Sequence, residues 1–320
     1  MQDRSKGILF AQLNALCAGL HFAAGVQPLN QLKQQCVSDI AAGMMIAAMY
    51  YLVAAPVNTL WWGLTRIGWI PRIGRQPSEA PSSSGGSGLL YSTLHILFSA
   101  LGISLFWMGM LHATTAIAAV LSRMEIVFVI VLGFLLLRER FSHWQWIGFA
   151  LTLSGILLIR GTSLQGETRG ILLLLASAFS FAVSLVAGKL AMRYVSVQLL
   201  MLVRSWCMAA ILCLGWFLLW PQLPSLDISN LLLVILSALS GPFLARNNYM
   251  LAVSYLPASQ VVLLNQAQPL YAALLGFLLN AEIPGRMVYL GGLAIIIGNI
   301  VLILARERAD TAAGSAVQQS

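Results

Sequence analysis

Apolar residues run through the chain in long, nearly unbroken stretches, and polar positions gather between them. Ten stretches approach or exceed the roughly 20 residues that a helix needs to cross a hydrocarbon core about 30 Å thick. They are Gly7 to Val26, Ile40 to Leu64, Leu89 to Leu111, Thr114 to Leu137, Trp144 to Ile159, Gly170 to Leu190, Val195 to Trp220, Leu231 to Tyr255, Pro257 to Leu279 and Met287 to Ala305. With no water to satisfy backbone groups, such spans are expected to be helical, whereas barrel strands would alternate over about ten residues. The pattern predicts an all-α polytopic membrane protein with ten transmembrane helices. Between the spans, Arg72 to Gly88 (RIGRQPSEAPSSSGGSG) is rich in Ser, Gly and Pro and reads as a flexible cytoplasmic loop, 72–88. The tail, 309–320, reads as disordered.

The chain also repeats itself. At an offset of 143, Leu132, Gly133, Phe134, Leu135, Leu136, Glu139, Gly148 and Gly155 meet Leu275, Gly276, Phe277, Leu278, Leu279, Glu282, Gly291 and Gly298. At an offset of 163, Gly7, Ile8, Leu9, Ala15, Ala24 and Gly25 meet Gly170, Ile171, Leu172, Ala178, Ala187 and Gly188. Leucine matches are cheap in this composition, but the glycines and the glutamate are not. The offsets differ by 20 residues, about the length of the Ser/Gly/Pro loop, so the chain divides into two five-span repeats, 1–162 and 163–308. Five is odd, so two fully spanning repeats enter the membrane with opposite orientation. Such inverted repeats recur in secondary transporters, where exchanging the conformations of the halves turns an inward-open state into an outward-open one. Duplication kept only for packing is the alternative. The repeat also marks the first span as retained rather than a signal peptide.

Composition narrows the class. Apolar residues make up 59% of the chain and charged ones 9%, against about a quarter charged in ordinary globular domains, which excludes a soluble enzyme. Cys17, Cys36, Cys207 and Cys213 show neither C-x-x-C pairing nor a histidine at zinc-site spacing, so no metal or disulfide is expected. The net charge of +8 takes on a topological meaning: eleven Lys and Arg residues fall on the side of the termini, four on the other, and Arg123, Arg204 and Arg246 inside spans. Both termini are therefore expected in the cytoplasm, with the protein in the inner (plasma) membrane. The expected partners are the lipid bilayer and a small-molecule metabolite, not nucleic acid. No cofactor is expected, while coupling to a proton or other ion gradient and the oligomeric state stay open.

LGFLLLRERFS and LLGFLLNAEIPG close the fourth span of each repeat, and a glycine-bearing span follows each. In this the sequence resembles the EamA-like branch of the drug/metabolite transporter superfamily, over nearly the whole chain. The resemblance implies a ten-helix carrier for small metabolites, most often an exporter, driven by a gradient rather than by ATP. That family usually has a proline in the fourth span of each repeat; the second repeat has Pro269, whereas the first has Ile126.

An ionisable group inside a span is a functional candidate by default. Arg123 and Glu125 lie mid-span and match Gln266 and Gln268 in the second repeat, which suggests that both helices face one cavity. Residues two apart on a continuous helix point about 200° apart, so Glu125 is expected to meet Arg204 or Arg246 rather than Arg123. It is read as a coupling or substrate-cation site, with a buried packing pair as the alternative. Arg246, Asn247, Asn248 and Tyr249 spread polarity around one turn. Arg246 either binds a carboxylate or phosphate or snorkels to the membrane surface. Asn14 and His21 share a helix face, as do their counterparts Ser177 and Ser184; they line a path or, in the favoured reading, hydrogen-bond other helices. Trp107 and Tyr271 are candidates for ring stacking or packing. Gly148, Gly155, Gly291 and Gly298 are expected to permit close helix contact, and Glu139 and Glu282 to orient the next helix start or a neighbouring chain segment rather than to touch substrate. Ser142 and Gln145 have capping-box spacing.

Phosphate-loop, H-E-x-x-H and G-x-S-x-G motifs are absent from the sequence, so an enzyme is not expected. The function expected is secondary transport of a small polar or amphiphilic metabolite, exported from the cytoplasm, with amino-acid-like compounds first and cationic drugs second. A channel or a non-transporting membrane subunit acting with a partner is the alternative.

Overall fold

The computed structural model describes residues 2–36, 38–68, 85–137, 143–160, 165–192, 194–256, 261 and 264–318, and no strand occurs among them. The elements are α1 (Gln2–Gln35), α2 (Asp39–Ile67), α3 (Gly85–Met110), α4 (Thr115–Ser122), α5 (Met124–Leu137), α6 (His143–Arg160) and α7 (Gln165–Ala191). There follow α8 (Val197–Leu219), α9 (Ile228–Ala238), a π-helical segment (Leu239–Ala245), α10 (Arg246–Tyr255), a 3-10 turn (Asn265–Ala267), α11 (Gln268–Asn280) and α12 (Arg286–Gln318). Most of the Ser/Gly/Pro loop, together with Arg138, Glu139, Arg140, Ser142, Arg193 and Pro257, lies outside the described residues.

Among the described residues, eight helical stretches are long and apolar enough to cross a membrane. The fifth and ninth predicted spans correspond to shorter helices, α6 with 18 residues and α11 with 13. Leu60, Leu172, Phe217, Leu232, Leu274 and Phe277 are exposed while Ala23, Ala47, Ala118 and Ala182 are buried. Many large apolar side chains thus face outward, while buried alanines let helices approach one another beside a core that also holds Trp107, Tyr50 and Phe106. α12 continues through the segment expected to be disordered, in keeping with the high helix propensity of its alanines.

Three predicted spans are interrupted. The fourth divides at Arg123 into α4 and α5, the eighth carries the π segment around Pro242, and the ninth carries the 3-10 turn at Asn265–Ala267. Proline offers no N–H to the preceding turn, so the chain at Pro242 takes the wider π geometry.

The principal packing partners follow a rule. α1 packs against α9, the π segment, α10 and α11, while α7 packs against α3, α4 and α5. α2 pairs with α8, and α6 with α12. Exchanging the two halves of the chain maps this set of pairings onto itself. The α6 and α12 contact is close because a Cβ built on Gly155 would stand 2.5 Å from the Gly291 carbonyl, and one on Gly148 would stand 2.8 Å from that of Gly298. The repeated glycines do serve close contact.

Candidate functional site

Both halves break their fourth helix at the same repeat position. Arg123 N–H donates to the Val120 carbonyl at 3.1 Å and Ile126 N–H to that of Arg123 at 3.2 Å, the three-residue spacing of a tightened turn. Asn299 on α12 also donates to the Arg123 carbonyl, at 3.2 Å. In the second half the 3-10 turn holds Gln266, and Pro269 stands in the first turn of α11, where its missing N–H costs nothing. Ile126 replaces that proline in the first half, yet the break forms there too. Two half-helices, α5 and α11, therefore begin inside the bundle with their positive dipole ends, and Glu125 lies in the first turn of α5 where negative charge is favoured.

Of the two arginines expected to meet Glu125, Arg246 lies close enough to act on it electrostatically and Arg204 does not; the Arg123 charge acts on it as well. The bar to an Arg123 and Glu125 interaction assumed a continuous helix, and the turn at Arg123 removes that assumption. Tyr249 shares the field of Glu125, Arg246 and Arg123. All four side chains are half-buried, as expected where groups line an internal space rather than fill a core. Arg246 is half-buried and close enough to act electrostatically on Glu125 and Tyr249. Arg123 also reaches across to the second half, its Nη1 lying 3.5 Å from the Asn265 carbonyl.

Arg204 is engaged elsewhere. It is buried, its Nε donates to Ser99 Oγ at 3.2 Å, and its guanidinium lies 5.7 Å from the centre of the Tyr51 ring. Asn14 Nδ2 donates to Asn265 Oδ1 at 2.9 Å, and Tyr271 Oη to Gln12 Oε1 at 3.1 Å. Gln266 and Gln268 are buried; neither end of the Gln266 amide has a partner among the described residues. Asn247 Nδ2 returns to the Phe243 carbonyl at 2.9 Å, and Asn248 is half-buried beside it.

His21 and Trp107 belong to a buried aromatic group with Tyr50, the His21 ring centre lying 5.3 Å from that of Trp107 and 5.1 Å from that of Tyr50. His21 Nδ1 also lies 2.9 Å from the Ser237 carbonyl and 2.7 Å from Ser237 Oγ, which donates to the His21 carbonyl at 2.9 Å. The other half repeats this clasp with the partners exchanged. His95 Nδ1 lies 2.8 Å from the Ser184 carbonyl and 2.9 Å from Ser184 Oγ, which donates to the His95 carbonyl at 2.9 Å. Ser177 Oγ donates to the Gly102 carbonyl at 2.7 Å. The polar stripe of the first and sixth spans is thus used in bonds between helices.

At the end of the bundle remote from the N-terminus of α1, polar contacts join the two halves. Gln27, Gln31 and Gln35, four residues apart on one face of α1, meet the Leu279 carbonyl at 2.7 Å, Asn230 at 2.6 Å and the Ser225 carbonyl at 2.5 Å. Asn280 Nδ2 donates to the Ala23 carbonyl at 2.9 Å. Asp39 gathers Lys33, His112 at 2.8 Å and, from the second half, Arg169 at 3.6 Å. Burial and the nearby Arg169 and Lys33 cations hold the His112 imidazole below its ordinary pKa, so at neutral pH its Nε2–H donates to Asp39. Glu282 accepts from Thr115 N–H at 2.7 Å and Thr115 Oγ1 at 3.0 Å, orienting the start of α4 in the other half. Sequence reasoning missed this set, although the four-residue spacing of Gln27, Gln31 and Gln35 was the available signal.

The sequence profile of the EamA-like transporter family matches residues 5–161 and 168–304 of this chain. No curated protein sequence matches it. Among solved structures, one crystal structure shares its fold with a TM-score of 0.60 at 18% identity, covering 93% of this chain and 97% of the other.

Proposed function

Since the chain belongs to the EamA-like transporter family, we propose that it is a secondary carrier that moves a small polar or amphiphilic metabolite across the inner (plasma) membrane by alternating access. Its two five-helix halves are inverted relative to each other, both termini are cytoplasmic, and amino-acid-like compounds are exported at the expense of an ion gradient. The observation that carries this reading is the paired interruption of the fourth and ninth spans, which sets Arg123 against the Asn265 turn of the other half. Discontinuous helices meeting at a repeat interface are the recurrent way in which transporters expose backbone and charge to a substrate within the membrane. The polar contacts around Gln31, Asp39 and Glu282 support a conformation closed at the end away from the termini.

The test is counterflow in proteoliposomes loaded with a pooled metabolite extract, read by mass spectrometry at two pH values. Saturable exchange of a defined compound is expected, reduced by about tenfold or more in Glu125→Gln and with its pH dependence flattened. Exchange by Glu125→Gln at the wild-type rate and with the wild-type pH profile would remove Glu125 from the site. Conduction without saturation would replace the carrier by a channel.

A further inference from the structure

The interior of the spans holds more positive than negative charge. Of the ten acidic residues, Asp3, Asp39, Glu79, Glu139, Glu167, Asp227, Glu282, Glu307 and Asp310 stand in connections, end turns or terminal segments. Glu125 is the one acid inside the spans, against three arginines, Arg123, Arg204 and Arg246. In the sequence no other acidic residue falls inside an apolar span. Arg204 lies in the field of Arg246, and among the described residues its partners are a serine and a tyrosine ring. Arg246 is thus close enough to act electrostatically on both the carboxylate and a second guanidinium. A buried cation without a counter-charge is costly, and the backbone adds to the excess, since α5 and α11 both direct positive dipole ends inward.

The hydrogen-bonding capacity points the same way. The Arg123 guanidinium makes only long contacts, 3.5 Å to the Asn265 carbonyl and 3.4 Å to Ser122 Oγ, and its buried Nε has no partner among the described residues. Gln266, at the repeat position of Arg123, is 4% exposed, and its amide has no partner among the described residues. These are spare donors next to surplus positive charge. A zwitterion would leave that surplus unchanged, and a cation would add to it.

We propose that the substrate carries a net negative charge, and that its carboxylate or phosphate group is held between Arg123 and Arg246. This rests on the transporter reading and narrows it to acidic members of the amino-acid-like class and comparable organic anions. Glu125 then faces whatever donor the substrate carries opposite its anion, which sets orientation rather than net charge. Planar two-point hydrogen bonding by guanidinium suits either anion.

The test separates a metabolite extract by ion exchange into anionic, zwitterionic and cationic pools and measures counterflow of each by the full-length chain in proteoliposomes. The anionic pool is expected to exchange about tenfold faster than the others, Arg246→Gln to lose that exchange by about tenfold, and Arg246→Lys to recover part of it. Carboxylates and phosphate esters within the moving pool are distinguished by mass. Exchange confined to zwitterions or cations overturns the proposal and leaves the carrier standing, as does an anion rate unaltered in Arg246→Gln. If no pool moves, the carrier reading fails, and the thermal midpoint of the purified protein with succinate or glycerol phosphate decides the site alone. A rise in wild type that Arg246→Gln abolishes supports the anion site, and no rise overturns it.

Discussion

At the scale of single residues, Glu282 shows how a charge serves architecture. Burial raises its carboxyl above the ordinary range, while the hydrogen bonds from the Thr115 amide and hydroxyl pull the other way. The folded protein then holds this proton more tightly than the unfolded chain, so the stability due to the group is complete below the ordinary carboxylate pKa and is lost as pH rises through the raised value. Glu282→Gln keeps an oxygen for Thr115 without a charge, so its thermal midpoint in detergent should equal or exceed that of wild type at neutral pH, with the difference shrinking towards about pH 4. Glu282→Ala, which removes the acceptor altogether, should lose about 0.5–2 kcal/mol at both pH values. A Gln variant destabilised like the Ala variant at neutral pH would show that the charge itself holds α4. The sequence marked Glu282 by its recurrence and indicated a role at a helix start. Its actual partner, Thr115, lies 167 residues away, and no periodicity conveys such a contact. The His–Ser clasps were hidden for a different reason. His21 aligns with Ser184, and the exchange of partners between the halves reads in one sequence as a mismatch.

Among the elements, the spans were legible because a bilayer sets both their length and their apolar character. Their interruptions were not. A proline marks the break in the ninth span, but Ile126 stands at that position in the fourth, where the turn at Arg123 depends on Asn299 and on the opposite half. Of the two expected partners of Glu125, Arg246 acts on it, while Arg204 is engaged with Ser99 and the Tyr51 ring. Packing of α6 on α12 was legible in the seven-residue glycine spacing, and it yields a sharp expectation. Gly155→Val places side-chain atoms where the Gly291 carbonyl and Ile295 already stand within 3 Å. Overpacking of this kind costs about 1–3 kcal/mol, to be read as a lowered thermal midpoint. An unchanged midpoint would mean that the two helices do not meet as closely as 2.5 Å at this position.

For the whole molecule, the interlocked pairing of α1 with the third and fourth helices of the second half, and of α7 with those of the first, makes each half part of the other's wall. A carrier built this way changes access by moving one half against the other, so contacts joining the halves at one end must break in each cycle. The Gln31 and Asn230 bond at 2.6 Å is such a contact. In a chain with Cys17, Cys36, Cys207 and Cys213 replaced by serine, cysteines at positions 31 and 230 can be bridged by a short bifunctional thiol reagent carrying a cleavable disulfide. The most direct measurement is counterflow before bridging, after bridging and after reduction. Loss of exchange on bridging and its return on reduction is the expected result. Exchange that continues at the unbridged rate while the link is intact would contradict alternating access by these two halves.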